Sequence, residues 1–122
     1  MTPVSAIAQL RTTDLPRTLR FYTEVVGLRP AFTYEDFYAG LWAGEQLLHL
    51  KRADAPDPGL DALAEAGHLH LYLDTPDARA LAASIEAKGV ALFRSVHDTP
   101  WGRREFWLRD DQGHILCFGE AI

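Results

Sequence analysis

The stretch TTDLPRTLRFYTEVVGL, residues 12–28, decides the fold of this chain. Asp14 is a favoured helix N-cap residue, and Pro16 stands in the first turn, where its missing amide hydrogen does no harm. An apolar stripe follows at helical spacing, made of Leu15, Leu19, Tyr22 and Val26. Because glycine readily adopts the left-handed conformation that ends helices, Gly27 is the expected stop. The stretch therefore predicts one amphipathic helix.

The segments on either side of this helix have the alternation of strands. Val4–Arg11 precedes the helix and places Ile7, Gln9 and Arg11 on one face. Three short strands are predicted after it, at Arg29–Tyr34, Phe37–Ala43 and Gln46–Arg52. The pairs Glu35-Asp36 and Gly44-Glu45 mark the turns. The first half thus has the order β-α-β-β-β.

The same order occurs a second time. His68–Leu73 alternates as a strand, and Asp74-Thr75-Pro76 is expected to open a second helix that ends at Gly89. The buried face of this helix is predicted from Ala78, Leu81, Ala82 and Ile85. Three strands complete the half, at Val90–Val96, Arg104–Leu108 and His114–Gly119. Matched Asp-x-Pro starts and glycine ends indicate an internal duplication.

The length of 122 residues fits a single domain with its own core. We predict repeat one at about 4–52 and repeat two at about 67–120. The connection, 53–66, reads ADAPDPGLDALAEA, and its Ala/Leu segment suits one or two helical turns. The expected fold class is α+β, with two β-α-β-β-β repeats and mixed sheets.

Composition narrows the possible partners. The chain has 12 Lys and Arg against 17 Asp and Glu, a net charge of −5, which argues against nucleic acid and favours a cationic or neutral partner. Cys117 is the one cysteine, so no internal disulfide forms and a cytoplasmic setting is expected. No signal-peptide pattern and no apolar run of about 20 residues is present, so no membrane partner is expected.

Three further stretches, with residues 12–28, give the chain a family resemblance. They are DFYAGLWAGEQLLHL (36–50), GHLHLYLD (67–74) and WGRREFWLRDDQGHILCF (101–118). In this order they resemble the vicinal oxygen chelate superfamily of glyoxalases, bleomycin-resistance proteins and extradiol dioxygenases. The resemblance spans nearly the whole chain. It implies curved mixed sheets around a cleft that holds a small molecule, and a homodimer in which the partner completes the cleft.

The resemblance also implies where a metal would lie. Metal-dependent members hold it with four residues, and those places fall here on Ile7, His49, His68 and Cys117. Isoleucine cannot ligate, a thiolate is a soft donor, and the last place lacks the usual carboxylate. We therefore expect no metal cofactor. The alternative is a divalent metal ion held by His49 and His68 in a lyase, isomerase or dioxygenase.

Bleomycin-resistance proteins resemble the chain in the segments around Asp36–Gly40 and Arg104–Asp110. The resemblance implies metal-independent binding of a flat cationic antibiotic. Three tryptophans, six phenylalanines and the acidic charge of this chain suit such a ligand. The sequence thus predicts a small-molecule-binding protein that gives antibiotic resistance by sequestration, rather than an enzyme. A third hypothesis is an accessory protein that binds an unidentified metabolite.

Nine residues are expected to contact the ligand: Gln9, Phe37, Trp42, His49, His68, His70, Trp101, Arg104 and Cys117. Each also has a simpler interpretation. The histidines suit hydrogen-bonded positions on a sheet, and Cys117 suits a buried apolar side chain at the cavity floor. Trp101 follows Pro100 and has three possible roles: it stacks on the ligand as a lid, it covers the edge of the barrel, or it forms part of a dimer contact.

Two questions stay open at this point. Arg104 lies in a charged run with Arg103 and Glu105, which either binds an anionic group or forms an internal salt bridge. On the predicted strand 37–43, Tyr38 and Trp42 share one face, and Phe37 shares the other with Leu41. One of these faces packs on a helix and the other lines the cleft.

Overall fold

The first predicted helix forms as α1, Leu15–Arg20, in a computed structural model that describes residues 1–122. Its N-cap is Asp14, whose carboxylate accepts a hydrogen bond from the Arg17 amide at 3.1 Å. The helix continues with π-helical geometry over Phe21–Val26 and ends at Gly27, which has a φ of +92°. The predicted boundaries are confirmed, and the π-helical second half was not foreseen.

The first compact unit of the chain is Met1–Asp57. Its strands are β1 (Ala8–Thr12), β2 (Arg29–Tyr34), β3 (Tyr38–Ala43) and β4 (Gln46–Arg52). They form one sheet of order β1-β4-β3-β2, in which β1 pairs parallel with β4 and the other pairs are antiparallel. The sheet is therefore mixed, and its single parallel pair joins the first and last strands of the unit.

The second compact unit is Pro58–Ile122. It begins with a short helix α2 (Leu60–Glu65), followed by β5 (Leu71–Asp74), α3 (Ala78–Ala87), β6 (Arg94–Asp98), β7 (Arg103–Arg109) and β8 (Ile115–Ala121). The sheet order is β5-β8-β7-β6, again with one parallel pair, β5 with β8. This is the arrangement of the first unit.

The predicted α+β fold with two β-α-β-β-β repeats is confirmed, because both units share the element order and the sheet order. The unit boundary lies inside the predicted connection 53–66, and α2 supplies its helical turns. That the two units form one domain stays a prediction. None of the helices is long and apolar enough to cross a membrane.

Several strand ends differ from their predicted positions. Strand β1 begins at Ala8 rather than at residue 4, and β6 covers Arg94–Asp98 rather than 90–96. Strand β5 begins at Leu71 rather than at His68, because the His68 amide donates to the Leu63 carbonyl at the end of α2. Apolar and polar residues keep alternating in the sequence beyond the last residue that pairs with a neighbouring strand. Boundaries predicted from this alternation are therefore too wide.

The start of the second helix corrects the predicted repeat. The N-cap of α3 is Asp77, whose carboxylate accepts from the Ala80 amide at 3.0 Å. Asp74 instead ends β5, and its carboxylate binds Arg103. The equivalent of Asp14 is therefore Asp77, and the second Asp-x-Pro triplet is not a helix start.

In each unit one sheet face packs against a helix. The first core contains Leu15, Tyr22, Leu41, Leu48 and Leu50, all buried. In the second unit α3 contacts β6, β7 and β8, and Phe106 stacks on Phe118 with ring centroids 4.9 Å apart. Because side chains alternate along a strand, the neighbours of these core residues lie on the opposite face. We call that opposite face the open face of each sheet.

Candidate functional site

The open face of the second sheet carries a connected group of polar and aromatic side chains. Register pairs Tyr72 with Cys117 and Cys117 with Trp107, one residue from each of three neighbouring strands. Glu105 pairs with His97 on the edge strand β6. These five residues alternate with the helix-packed core, so the strand pattern itself places them together. We call them the open-face cluster.

Tyr72 crosses strand β8 to reach Glu105. Its hydroxyl donates to Glu105 Oε2 at 2.7 Å. This path requires Gly119, because a Cβ at that position would lie 2.0 Å from the Tyr72 oxygen and 2.8 Å from Cζ. Gly119 therefore serves as the gap through which the phenol passes, rather than as a turn residue.

Arg103 fixes the same phenol from the other side. Its Nε donates to the Tyr72 oxygen at 3.0 Å, and its guanidinium also pairs with Asp74. Burial raises the pKa of Tyr72, and the hydrogen bond to Glu105 raises it further. Tyr72 is thus a neutral phenol that keeps its proton and donates a hydrogen bond to the carboxylate.

Cys117 lies on the floor of the cluster and is fully buried. Burial raises the pKa of its thiol to about 12, and the charge and hydrogen bonding of Glu105 act in the same direction. The thiol is therefore protonated at neutral pH. A buried, protonated thiol behaves as a small apolar side chain, and a thiolate is disfavoured here. Cys117 is not among the residues that line the cavity described next.

A cavity of about 370 Å³ opens above this cluster. Its walls include Tyr72, His97, Asp98, Trp101, Glu105 and Trp107. The volume falls at the lower end of the range for small-molecule pockets, and aromatic walls with few polar groups are typical of such sites. This cavity is the strongest candidate site in the second unit.

Trp101 lies at the rim of the cavity, on the turn between β6 and β7. The turn is closed by Thr99, whose amide donates to the Arg103 carbonyl at 2.7 Å and whose hydroxyl accepts from the Arg103 amide at 3.0 Å. The Trp101 side chain is 73% exposed, the most exposed aromatic in the chain. An indole on a fixed turn beside an open cavity suits stacking on a flat ligand.

Trp107 forms the inner aromatic wall. The Arg94 guanidinium lies 5.5 Å from its ring centroid, so one face of the indole is already covered. The indole Nε1 is buried without a hydrogen-bond partner. A ligand that stacks on this ring must share it with Arg94 or displace the arginine.

Arg104 points away from this arrangement. It forms a two-pronged pair with Asp98, with Nε–Oδ1 at 2.8 Å and Nη2–Oδ2 at 3.2 Å, and lies 4.0 Å from Glu120. The guanidinium lowers the pKa of the Asp98 carboxyl. The structure thus favours the internal salt bridge over an anion-binding role for Arg104. This salt bridge also neutralises Asp98, the other carboxylate that lines the cavity beside Glu105.

The open face of the first sheet brings Gln9 and His49 together through Tyr38. The Gln9 amide donates to the Tyr38 oxygen at 2.9 Å, and that hydroxyl lies 2.9 Å from His49 Nδ1. Phe32 stacks parallel to the phenol, over Gly40, where a Cβ would lie 2.3 Å from the ring. Tyr38 was missed as a site residue, although it shares a strand face with Trp42.

The open question about strand 37–43 is resolved by burial. Leu41 is fully buried on the helix-packed face, and Tyr38 and Trp42 lie half-buried on the open face. Phe37 is not in the strand. It lies in the turn before β3, 44% exposed, with the Lys51 Nζ 5.9 Å from its ring centroid.

His68 and His70 lie away from the cavity. His68 is exposed in the segment after α2. The His70 Nδ1 accepts a hydrogen bond from the Ile115 amide at 3.1 Å, and its ring meets His114 edge-on at 5.0 Å. His114 is itself buried and bonded to Asp110 at 2.9 Å. These contacts hold the β5–β8 end in place.

The residues of neither unit fit a resident metal ion. In neither unit do three or more His, Cys, Asp or Glu side chains group so that they could hold one. The Ile7 side chain has no donor atom, and the Cys117 side chain is fully buried. Nδ1 of His49 is engaged by Tyr38. Catalytic zinc normally has three protein ligands, so we assign no chemical step to a metal.

This architecture matches one known family. A sequence model described as the Glyoxalase/Bleomycin resistance protein/Dioxygenase superfamily matches residues 5–118. The chain belongs to this superfamily. The resemblance inferred from its motifs is thereby confirmed. No curated protein matches the chain in sequence.

Three solved structures share the superfamily fold. The bleomycin-binding protein from bleomycin-producing Streptomyces verticillus, complexed with copper(II)-bleomycin, is 22% identical, with a TM-score of 0.70 over 97% of this chain and 96% of that one. Lactoylglutathione lyase from Agrobacterium tumefaciens is 23% identical, with 0.73 over 97% and 95%. A glyoxalase-related enzyme from Clostridium phytofermentans is 18% identical, with 0.79 over 100% and 98%. Likeness at these identities shows the fold alone.

Proposed function

We propose that this chain binds a flat, cationic small molecule without a metal ion, on the open face of the Pro58–Ile122 unit. One observation carries the proposal. Glu105 is 7% exposed at the floor of the aromatic cavity, no arginine or lysine forms an ion pair with it, and its one basic neighbour is His97, with Nε2 3.9 Å from Oε1. A carboxylate held out of water without a paired cation is costly, and a cationic ligand offsets that cost.

The remaining wall residues suit a flat ligand. Trp101 presents a free indole at the rim, and Tyr72 and Trp107 provide aromatic surface deeper in the cavity. Aromatic faces attract cations as well as flat rings, so shape and charge favour the same class of molecule. The net charge of −5 adds a weak long-range attraction.

Sequestration of a cationic aromatic antibiotic is the role that fits this binding mode best. The solved structure of a bleomycin-binding protein with the same fold supports this choice of ligand class. We do not propose a metal-dependent lyase, isomerase or dioxygenase, because neither unit has the set of metal-ligating side chains that such an enzyme needs. Residence in the cytoplasm and assembly into a homodimer stay predictions.

Tryptophan fluorescence tests the proposal. Metal-free bleomycin titrated into the protein is expected to quench the emission with saturation, because Trp101 and Trp107 flank the cavity. Trp101→Ala is expected to weaken binding by about 1–3 kcal/mol, the usual cost of losing a stacking ring. Tyr34→Ala, which removes an exposed aromatic ring that does not line the cavity, is the control and is expected to leave binding unchanged. No saturable quenching at high micromolar drug removes the antibiotic from the proposal.

A further inference from the structure

The His97 ring presents a hydrogen-bond acceptor to the cavity. Its Nδ1 lies 2.8 Å from the Ser95 carbonyl oxygen, which can only accept. In the neutral ring Nδ1 therefore carries the hydrogen, and Nε2 keeps its lone pair. That Nε2 lies 3.9 Å from Glu105 Oε1, too far for a direct hydrogen bond. Two acceptors thus face each other across a gap.

Glu105 has capacity for a further donor. Its Oε2 accepts from the Tyr72 hydroxyl at 2.7 Å. A carboxylate offers about four lone-pair sites, so this one donor leaves it incompletely satisfied. Glu105 Oε1 and His97 Nε2 can therefore each accept a hydrogen bond from an N–H or O–H donor of a ligand.

The nearby charged groups are engaged elsewhere. Arg103 pairs with Asp74, and Asp98 pairs with Arg104. Arg94 lies over a tryptophan ring at the cavity wall. None of these arginines lies within ion-pair distance of the Glu105 carboxylate. The space between His97 Nε2 and Glu105 Oε1 is therefore available to a ligand group.

We propose that His97 and Glu105 together recognise a cation that carries N–H groups, an ammonium or an amidinium, and discriminate against fully alkylated cations. One N–H donates to Glu105 Oε1 and a second to His97 Nε2. The positive charge is placed against the carboxylate. This inference rests on the proposed function, and it names the chemical group that the site selects. A quaternary ammonium satisfies the charge but neither acceptor.

Isothermal titration calorimetry with three small probes tests the selection. Benzamidine carries a charged group with N–H donors, benzyltrimethylammonium has the charge without donors, and benzamide has donors without the charge. Benzamidine is expected to bind at least about ten-fold more tightly than either, the usual value of one hydrogen bond to a charged group. The wild-type protein suffices for this comparison, so it does not depend on any variant folding.

Two variants separate the contributions. His97→Phe keeps a ring and removes the acceptor, so the preference for benzamidine over benzyltrimethylammonium is expected to fall by about ten-fold. Glu105→Gln is expected to weaken the binding of both benzamidine and benzyltrimethylammonium. Nitrogen-15 chemical shifts of His97 provide a second readout. In the protein without ligand, the neutral imidazole is expected to carry its hydrogen on Nδ1 and none on Nε2.

The outcomes distinguish the two levels of the argument. Equal affinity for benzamidine and benzyltrimethylammonium, both weakened by Glu105→Gln, overturns the inference and leaves the proposed cation site intact. Binding of neither cation overturns both. A preference that survives unchanged in His97→Phe, or a free ring protonated at Nε2, also overturns the role assigned to His97.

Discussion

Gly119→Ala is a single-methyl perturbation of the candidate site. The new Cβ would lie 2.0 Å from the Tyr72 oxygen and 2.8 Å from Cζ, well inside contact distance. The phenol must therefore leave its path across β8, and the hydrogen bond to Glu105 Oε2 breaks. The backbone at Gly119 is not in the left-handed region, so alanine itself is tolerated there.

The magnitude follows from the contacts that are lost. The bonds from Tyr72 to Glu105 and from Arg103 to Tyr72 each involve a charged partner, and each such bond contributes about 1.5–3 kcal/mol. Tyr72 is 44% exposed, so water replaces part of this on displacement. We expect a total loss of about 1.5–3 kcal/mol in the free energy of unfolding.

Urea denaturation followed by circular dichroism measures this loss, and a double-mutant cycle isolates its cause. In a Tyr72→Ala background, Gly119→Ala is expected to change stability by less than about 0.5 kcal/mol, because the clashing ring is gone. An equal loss in both backgrounds would show that Gly119 matters for another reason, and the reasoning about the phenol would be refuted.

Three further predictions concern the same face of the second sheet. Arg94→Ala uncovers one face of Trp107 and is expected to tighten binding of a flat cation by about two- to five-fold, measured by calorimetry; weaker binding would show that the arginine contacts the ligand. Because the pKa of the Cys117 thiol is raised to about 12 in the folded state, its contribution to stability is expected to fall as pH rises from 9 towards 12, by at most about 1.4 kcal/mol per pH unit. Cys117→Ala should make the measured decline less steep and leave the part that comes from the raised pKa of Tyr72, and an unchanged decline would contradict this. We expect no one-to-one binding of zinc, nickel or manganese, and we expect EDTA to leave the melting temperature unchanged. One metal ion per chain in the wild-type protein that is absent from His49→Ala would contradict this.

The fold follows from sequence because its signals are local. The helical stripe and N-cap at Asp14 and the alternation in the strands each depend on neighbouring residues. The second helix start was misplaced because Asp74 and Asp77 flank the same proline, and only the hydrogen bond to the Ala80 amide distinguishes them. Strand ends were misplaced because pairing partners, which sequence does not show, decide where β5 begins.

The candidate site was less predictable, because it depends on side chains that cross between strands. Glu105 was read as part of a charged run, although its alternation with Phe106 and Leu108 already placed it on the face of Trp107. Tyr72 gave no signal, since its role depends on Gly119 in a distant strand. His68 was favoured by a motif, and it lies exposed outside the strand.

The affinity of metal-free bleomycin for Glu105→Gln, compared with Glu86→Gln, tests the central claim most directly. Both substitutions remove one negative charge and keep the side-chain shape, but Glu86 lies exposed on α3 and does not line the cavity. Calorimetry is expected to show at least about ten-fold weaker binding for Glu105→Gln, from loss of a charged contact, and no change for Glu86→Gln. Equal affinity for the two variants would show that the Glu105 carboxylate does not hold the ligand.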